Sequence, residues 1–281
     1  MRWLSLFVGC LSWVLSVYAV AQQPIKQQIL VQGIQRQYLV LDAHRQKPAP
    51  LVIVLHGGGG NASRMLQRWQ AVAQREGLIV VAPNAEKATW NALGCCGDAK
   101  QQQSADVAFI QAMLKEVEQQ TSVDQHRIYV VGFSNGGMLT YQLIAQQRAP
   151  FAAAAVVSAA LFAQQPQPKT PLPLLIVHGM QDQVVPIQGG KSQVRFVARA
   201  QTQAFLPLNQ TIEIWKKTNQ CQAKDLKSNT VAFEFWQYRA CKADLQVYLL
   251  KLEGHTWSTV EDADGIDTTQ VIWDFLKQHH H

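Results

Sequence analysis

Arg127-Ile128-Tyr129-Val130-Val131-Gly132-Phe133-Ser134-Asn135-Gly136-Gly137-Met138-Leu139-Thr140 carries three local patterns in succession. Arg127 to Val131 is rich in β-branched and aromatic side chains, Gly132 to Gly136 forms a G-x-S-x-G turn, and helix-compatible residues follow at once. The order is strand, sharp turn, helix. Such a turn presents the Ser134 hydroxyl at its tip. It needs glycine on both sides, because a Cβ at Gly132 or Gly136 would crowd the neighbouring strand or helix. G-x-S-x-G alone recurs by chance, but between a buried strand and an apolar helix it marks Ser134 as a nucleophile rather than a turn serine.

Working outward, residues 28–32 and 36–41 alternate well enough for an antiparallel hairpin about Gly33. Leu51-Val52-Ile53-Val54-Leu55 is a continuous apolar run, as in a strand buried on both faces of a parallel sheet. Met65, Leu66, Trp69, Val72 and Ala73 recur at helical spacing up to Gly77, and residues 78–82 read as the next strand. A loop rich in Asn, Gly, Cys and Gln spans residues 83–104, before a helix marked by Val107, Ile110, Met113, Leu114 and Val117. After the turn at Ser134, a helix is expected to end near Pro150. Residues 153–158, 174–177, 231–238 and 245–252 read as strands, and residues 210–218 and 268–277 as helices. Residues 164–173 form a Pro- and Gln-rich loop, and residues 189–206 resist assignment, with a helix plus cover as the reading open to them. Alternation of this kind predicts an α/β fold, a mostly parallel sheet with helices on both faces and ligands at the carboxyl ends of its strands.

A length of 281 residues, 48% of them hydrophobic, suits one domain with a large core. Residues 1–21 are expected to be a signal peptide: Arg2 supplies the positive end, Leu4 to Val17 the apolar run, and Ala19-Val20-Ala21 a small-residue cleavage motif. The apolar run is short for a bilayer span of roughly 20 residues, and no other stretch is long and apolar enough. The expected mature domain is residues 22–281, secreted or periplasmic, with no stable membrane insertion. The formal charge of +6 falls to +5 when Arg2 leaves. Basic residues are scattered, which argues for a solvated surface and against a nucleic-acid groove. In an oxidising compartment the four remaining cysteines suggest bridges, with Cys221 to Cys241 the expected pair. Adjacent Cys95 and Cys96 have three arrangements open to them: a vicinal bridge, free thiols or exchange into other pairs. The absence of C-x-x-C or His-paired spacing argues against zinc.

A serine hydroxyl needs a base to take its proton and an acid to orient that base. His255, in Leu252-Glu253-Gly254-His255-Thr256-Trp257 directly after the last strand, is the expected base. Val177-His178-Gly179-Met180-Gln181-Asp182 also follows a buried strand; Asp182 is the expected acid and His178 a structural residue. The chain order Ser134, Asp182, His255 is that of an α/β-hydrolase. Donors for an oxyanion are expected from the amide of Asn135 and from the Gly-rich turn after Leu55, at Gly58. Gly57, Gly59 and Ala62 also fit a dinucleotide fingerprint, but Val80-Val81-Ala82-Pro83-Asn84 offers no acid for a ribose. No cofactor is expected.

Together, Leu55-His56-Gly57-Gly58-Gly59, Trp90-Asn91 with Cys95-Cys96, the turn from Gly132 to Gly137, His178-Gly179 with Asp182, and Gly254-His255-Thr256-Trp257 resemble the secreted polyhydroxybutyrate depolymerase and feruloyl esterase family. The resemblance covers most of the chain after residue 21. It implies an α/β-hydrolase that cleaves carboxylic esters through a serine: polyesters, feruloylated or acetylated plant polysaccharides, or small aryl esters. Two departures stand out. Ser258-Thr259 occupy the place of the family's usual Pro-Gly, and Ala105-Asp106 keeps one of its usual paired aspartates. Trp90, Asn91 and Trp257 are candidate substrate-binding residues, since tryptophan offers a large face for an aryl acyl group. Depolymerases of solid polyester usually resemble this unit joined to a separate surface-binding domain, and the chain ends at its closing helix. The expected substrates are therefore soluble feruloyl, hydroxycinnamoyl, acetyl or short hydroxyalkanoate esters, with solid polymer as the alternative. A noncatalytic hydrolase-fold binding protein is the reading from another class.

Overall fold

Side chains of the central strands alternate between two apolar cores, one on each face of the sheet. In the strand Ala49–Leu55, Leu51, Ile53 and Leu55 enter one core while Val52 and Val54 enter the other. This period of two explains the unbroken apolar run: both faces are covered, so every position is buried. Each such side chain contributes about 1.5–3 kcal/mol relative to exposure.

The computed structural model describes residues 23–44, 48–146 and 149–281, so the expected signal peptide lies outside the described residues. Among the described residues ten strands form one sheet: β1 (Ile25–Val31), β2 (Ile34–Asp42), β3 (Ala49–Leu55), β4 (Ile79–Pro83), β5 (Val123–Phe133), β6 (Ala153–Val157), β7 (Leu174–Gly179), β8 (Ala223–Asn229), β9 (Phe233–Arg239) and β10 (Leu245–Leu250). Their order is β1-β2-β4-β3-β5-β6-β7-β10-β9-β8. From β4 to β10 neighbours run parallel, and the outer pairs at both edges are antiparallel. The fold is that of an α/β-hydrolase. The opening hairpin turns on Gln32 and Gly33, both at positive φ as a two-residue hairpin turn requires.

Helices α1 (Ala62–Glu76), α2 (Gly97–Gln101), α3 (Asp106–Gln120), α4 (Asn135–Ala145), α5 (Arg195–Ala200), α6 (Leu208–Thr218) and α7 (Thr268–Leu276) complete the fold. Buried side chains of α1 and α7 share one core, and those of α3, α4 and α6 the other. Asn61 caps α1 by accepting from the Arg64 amide, and Gly77 ends it at φ 72°.

Several boundaries differ from the sequence expectation. β5 begins at Val123, ahead of its apolar run, and α4 stops at Ala145. β8 carries Lys224, Asp225 and Lys227 and has no alternating apolar face, because it is an edge strand and buries little. The expected Cys221–Cys241 disulfide closes the open end of the β8–β9 hairpin, next to the Ala223–Arg239 register pair. Cys95 is paired with Cys96. No helix among the described residues is long and apolar enough to cross a membrane.

Candidate active site

Ser134 sits between β5 and α4 at φ 54°, ψ −121°, a region costing a non-glycine residue about 1–3 kcal/mol. Surrounding contacts hold it there: its amide donates to the Val157 carbonyl at 2.8 Å and its carbonyl accepts from Met138 at 2.9 Å. The flanking glycines are needed for close approach. A Cβ on Gly132 would lie 2.3 Å from the Gly136 carbonyl oxygen, and one on Gly136 would lie 2.5 Å from the carbonyl oxygens of Leu55 and His56.

β7 and β10 are parallel neighbours, with Gly179 paired to Leu250, so the loops leaving their carboxyl ends emerge side by side. The Gln181 amide donates to Glu253 at 3.0 Å and ties the two loops together. Asp182 comes from the first loop and His255 from the second. His255 Nδ1 lies 2.8 Å from Asp182 Oδ2, and His255 Nε2 lies 2.8 Å from Ser134 Oγ. The buried Asp182 carboxylate also accepts at Oδ1 from the amides of Val184 and Val185, both at 2.8 Å. Its two oxygens are thereby fixed in direction. With Nδ1 donating to the carboxylate, Nε2 is free to accept the serine proton.

His178 takes no part in this line. It is fully buried, with Nε2 donating to the Val185 carbonyl at 2.9 Å and lying 3.6 Å from Asp182. Burial holds its pKa below the ordinary imidazole value.

The Gly-rich turn after β3 is shaped by His56. Its Nε2 accepts from the Ala85 amide at 3.0 Å, so the ring proton is on Nδ1, which donates to the Gly57 carbonyl at 2.7 Å. Burial lowers its pKa and favours the neutral ring that this pattern requires. The amides of Gly59 and Gly60 are spent on Ala88 and Gly57, at 2.8 and 2.9 Å. Gly58, Ser134, Asn135 and His255 together line one cleft of about 380 Å³. Asn135 is the first residue of α4, where backbone N–H groups have no partner within the helix.

Trp90, Asn91 and Trp257 are not among the residues that line this cleft. Trp90 is fully buried against the His56 ring, and its Nε1 donates to the His56 carbonyl at 2.7 Å. Asn91 donates its amide to Asp106 at 2.7 Å and its side chain to Ser104 at 3.1 Å. Trp257 is buried in the α1–α7 core, edge-on to Phe133, with Nε1 donating to Thr269. All three brace loops. Asn135 has a bracing role as well: its Oδ1 accepts from the Trp90 amide at 2.6 Å and its Nδ2 donates to the Trp90 carbonyl at 3.1 Å. Asp106, the first residue of α3, anchors the same loop: it holds the Asn91 amide and pairs with buried Arg36 at 2.6 Å.

The cleft walls come from residues the sequence reading passed over: Thr89, Cys96, Met138, Val184, Val185 and the α5 residues Phe196, Val197 and Ala200. Val184 and Val185 directly follow Asp182, an apolar pair on a strand-end loop that was open to notice. α5 falls within residues 189–206, which resist assignment from sequence. A cleft of about 500 Å³ lies elsewhere, beside Arg75, Arg127 and Lys277, each paired with a carboxylate. Among the described residues no group of three or more His, Cys, Asp or Glu is placed to hold a metal ion.

Comparison with known proteins agrees with this architecture. The phospholipase/carboxylesterase family matches residues 36–212, more than half of the chain. A feruloyl esterase B of Piromyces equi is 32% identical over 249 residues, covering 83% of this chain and 42% of that protein. A feruloyl esterase C of Emericella nidulans is 35% identical over 152 residues, covering 51% of this chain and 53% of that protein. The chain thus spans about half the length of these relatives. Among solved structures, the acetyl xylan esterase from Aspergillus awamori superposes with a TM-score of 0.60 at 15% identity, covering 88% of this chain and 99% of that one, a likeness of fold. The chain belongs to the phospholipase/carboxylesterase family of α/β-hydrolases.

Proposed function

We propose that this chain is a serine carboxylic-ester hydrolase that works through an acyl-enzyme. The observation carrying this reading is the pair of 2.8 Å contacts that join Ser134, His255 and Asp182 in line at the cleft. In the proposed cycle, Ser134 Oγ attacks the ester carbonyl carbon while its proton passes to His255 Nε2. The carbonyl π pair moves onto oxygen, which the amides of Gly58 and Asn135 receive; one such donor is worth about 2.7–4 kcal/mol. Collapse breaks the bond to the alkoxy group, which takes the proton from His255 and leaves as the alcohol. Water then repeats the sequence against the acyl-enzyme and releases the acid. Asp182 stays ionised throughout and stabilises the imidazolium.

The substrates in this reading are feruloyl, hydroxycinnamoyl, acetyl or short hydroxyalkanoate esters. The names of the feruloyl esterase relatives support the first of these. The chain acts outside the cytoplasm after losing residues 1–21, in keeping with the Cys221–Cys241 bridge. A fluorophosphonate probe tests the nucleophile: wild type should be labelled, and Ser134→Ala should lose both label and ester turnover while keeping its melting temperature. Labelling of the Ser134→Ala protein would move the nucleophile elsewhere. An unlabelled wild type would favour a noncatalytic binding protein.

A further inference from the structure

α5 is a short helix that, among the described residues, buries none of its side chains and packs into neither core. Phe196 and Ala200 are four residues apart and so share a face, with Val197 beside them, and all three line the cleft. No residue of α5 is buried, and Phe196 is 75% exposed. Its ends are nonetheless tied down. The Gln193 amide donates to Gln183 at 2.9 Å, next to Asp182, and the Ser192 amide donates to the Gln201 side chain at 2.7 Å. At the other end, the Thr202 amide and hydroxyl donate to the Gly94 carbonyl at 3.0 and 3.1 Å. The helix is held to the loops that carry the rest of the cleft. Val184 and Val185 line the same cleft, and their amides are bound by the same carboxylate that orients His255. The cleft lining thus combines apolar side chains from both segments with Ser134 and His255.

Phe196, Val197 and Ala200 join Val184, Val185 and Met138 in a mostly apolar lining with a few polar groups, the composition of a small-molecule site. The cleft volume of about 380 Å³ is that of a site for a ligand well beyond the size of acetate. We propose that α5 is the acyl-selecting wall of the cleft, and that Phe196 favours a flat aromatic acyl group of the hydroxycinnamoyl type over acetyl. This rests on the ester-hydrolase reading above. An aromatic acyl chain attached at the reacting carbon would lie between Val184-Val185 and the Phe196 face, offset-stacked or edge-on to the ring. Acetyl would leave that face in water.

The test compares kcat/KM for methyl ferulate and 4-nitrophenyl acetate in wild type and Phe196→Ala. Removing apolar contact from a pocket typically costs about tenfold or more, so the ferulate-to-acetate ratio should fall by at least about tenfold, mainly through KM. Equal losses on both esters, or a loss on the acetate alone, would overturn the assignment. Should wild type turn over neither ester, fluorophosphonate labelling decides the hydrolase reading, and the wall is judged separately by calorimetric titration with free ferulate. Binding about tenfold tighter to wild type than to Phe196→Ala sustains it; equal binding or none overturns it.

Discussion

Gly179 lies so close beneath the loop after β10 that a Cβ on it would sit 2.1 Å from the carbonyl oxygen of Gly254. A second backbone oxygen, that of Glu253, would be 2.5 Å away. The two loops bearing Asp182 and His255 can touch only because residue 179 has no side chain. Gly179→Ala must push them apart, and misplacement near 1 Å can cost about 10²-fold in rate. We expect a fall in kcat of that order with about 1–3 kcal/mol of lost stability from overpacking. Steady-state kinetics beside urea unfolding would check this; unaltered kcat would show that the loops give way without moving the imidazole.

Arg36 and Asp106 form a buried ion pair at 2.6 Å, and Asp106 also holds the Asn91 amide. Asp106→Ala leaves an unpaired cation in the interior and should cost about 3–5 kcal/mol. Replacing both partners, Arg36→Met with Asp106→Leu, should cost less than the single change. Chemical denaturation of the three variants decides this, and a double variant weaker than the single one would show that the pair itself stabilises the fold.

Burial lowers the His178 pKa, outweighing the opposite influences of Asp182 and the Val185 carbonyl. The unfolded chain therefore takes up a proton near pH 6.5 that the folded chain refuses, and stability falls as pH drops below that point. Burial shifts His56 in the same direction. His178→Asn should flatten the decline in urea midpoint between about pH 7.5 and 5.5, leaving the part due to His56 and to His279, which burial shifts likewise. Parallel pH profiles for the two proteins would count against it.

The Cys221–Cys241 bridge closes a sequence separation of 20 residues at the sheet edge. On the chain-entropy model, replacing both with serine should cost about 3 kcal/mol. Thermal unfolding of the variant, and of wild type with and without reductant, should show matching losses. Equal stability with and without reductant would mean that the bridge constrains little.

Much of this molecule was legible from local pattern. Continuous apolar runs such as residues 51–55 are buried on both faces wherever they occur, so the parallel core strands could be named without coordinates. β8 could not, because an edge strand gains its hydrogen bonds from β9 without burying an apolar face that would mark it. α5 could be given no bounds within residues 189–206 for a related reason: none of its side chains is buried, so no period marks it. For Trp90 and Trp257, size and position in the sequence say nothing about direction. Both rings point inward, to His56 and Phe133, and a face used in packing is unavailable to a ligand.

Sequence alone determined the strand–turn–helix around Ser134 and the buried core strands, since each depends on neighbours a few residues apart. Tertiary structure alone decided that Asp182 and His255, 73 residues apart, share a hydrogen bond. It also decided that Phe196, not a tryptophan, faces the cleft. The physical reason is that pairing of β7 with β10, and the direction of every side chain above them, is set by contacts between distant segments. Those contacts leave no periodic trace in either segment.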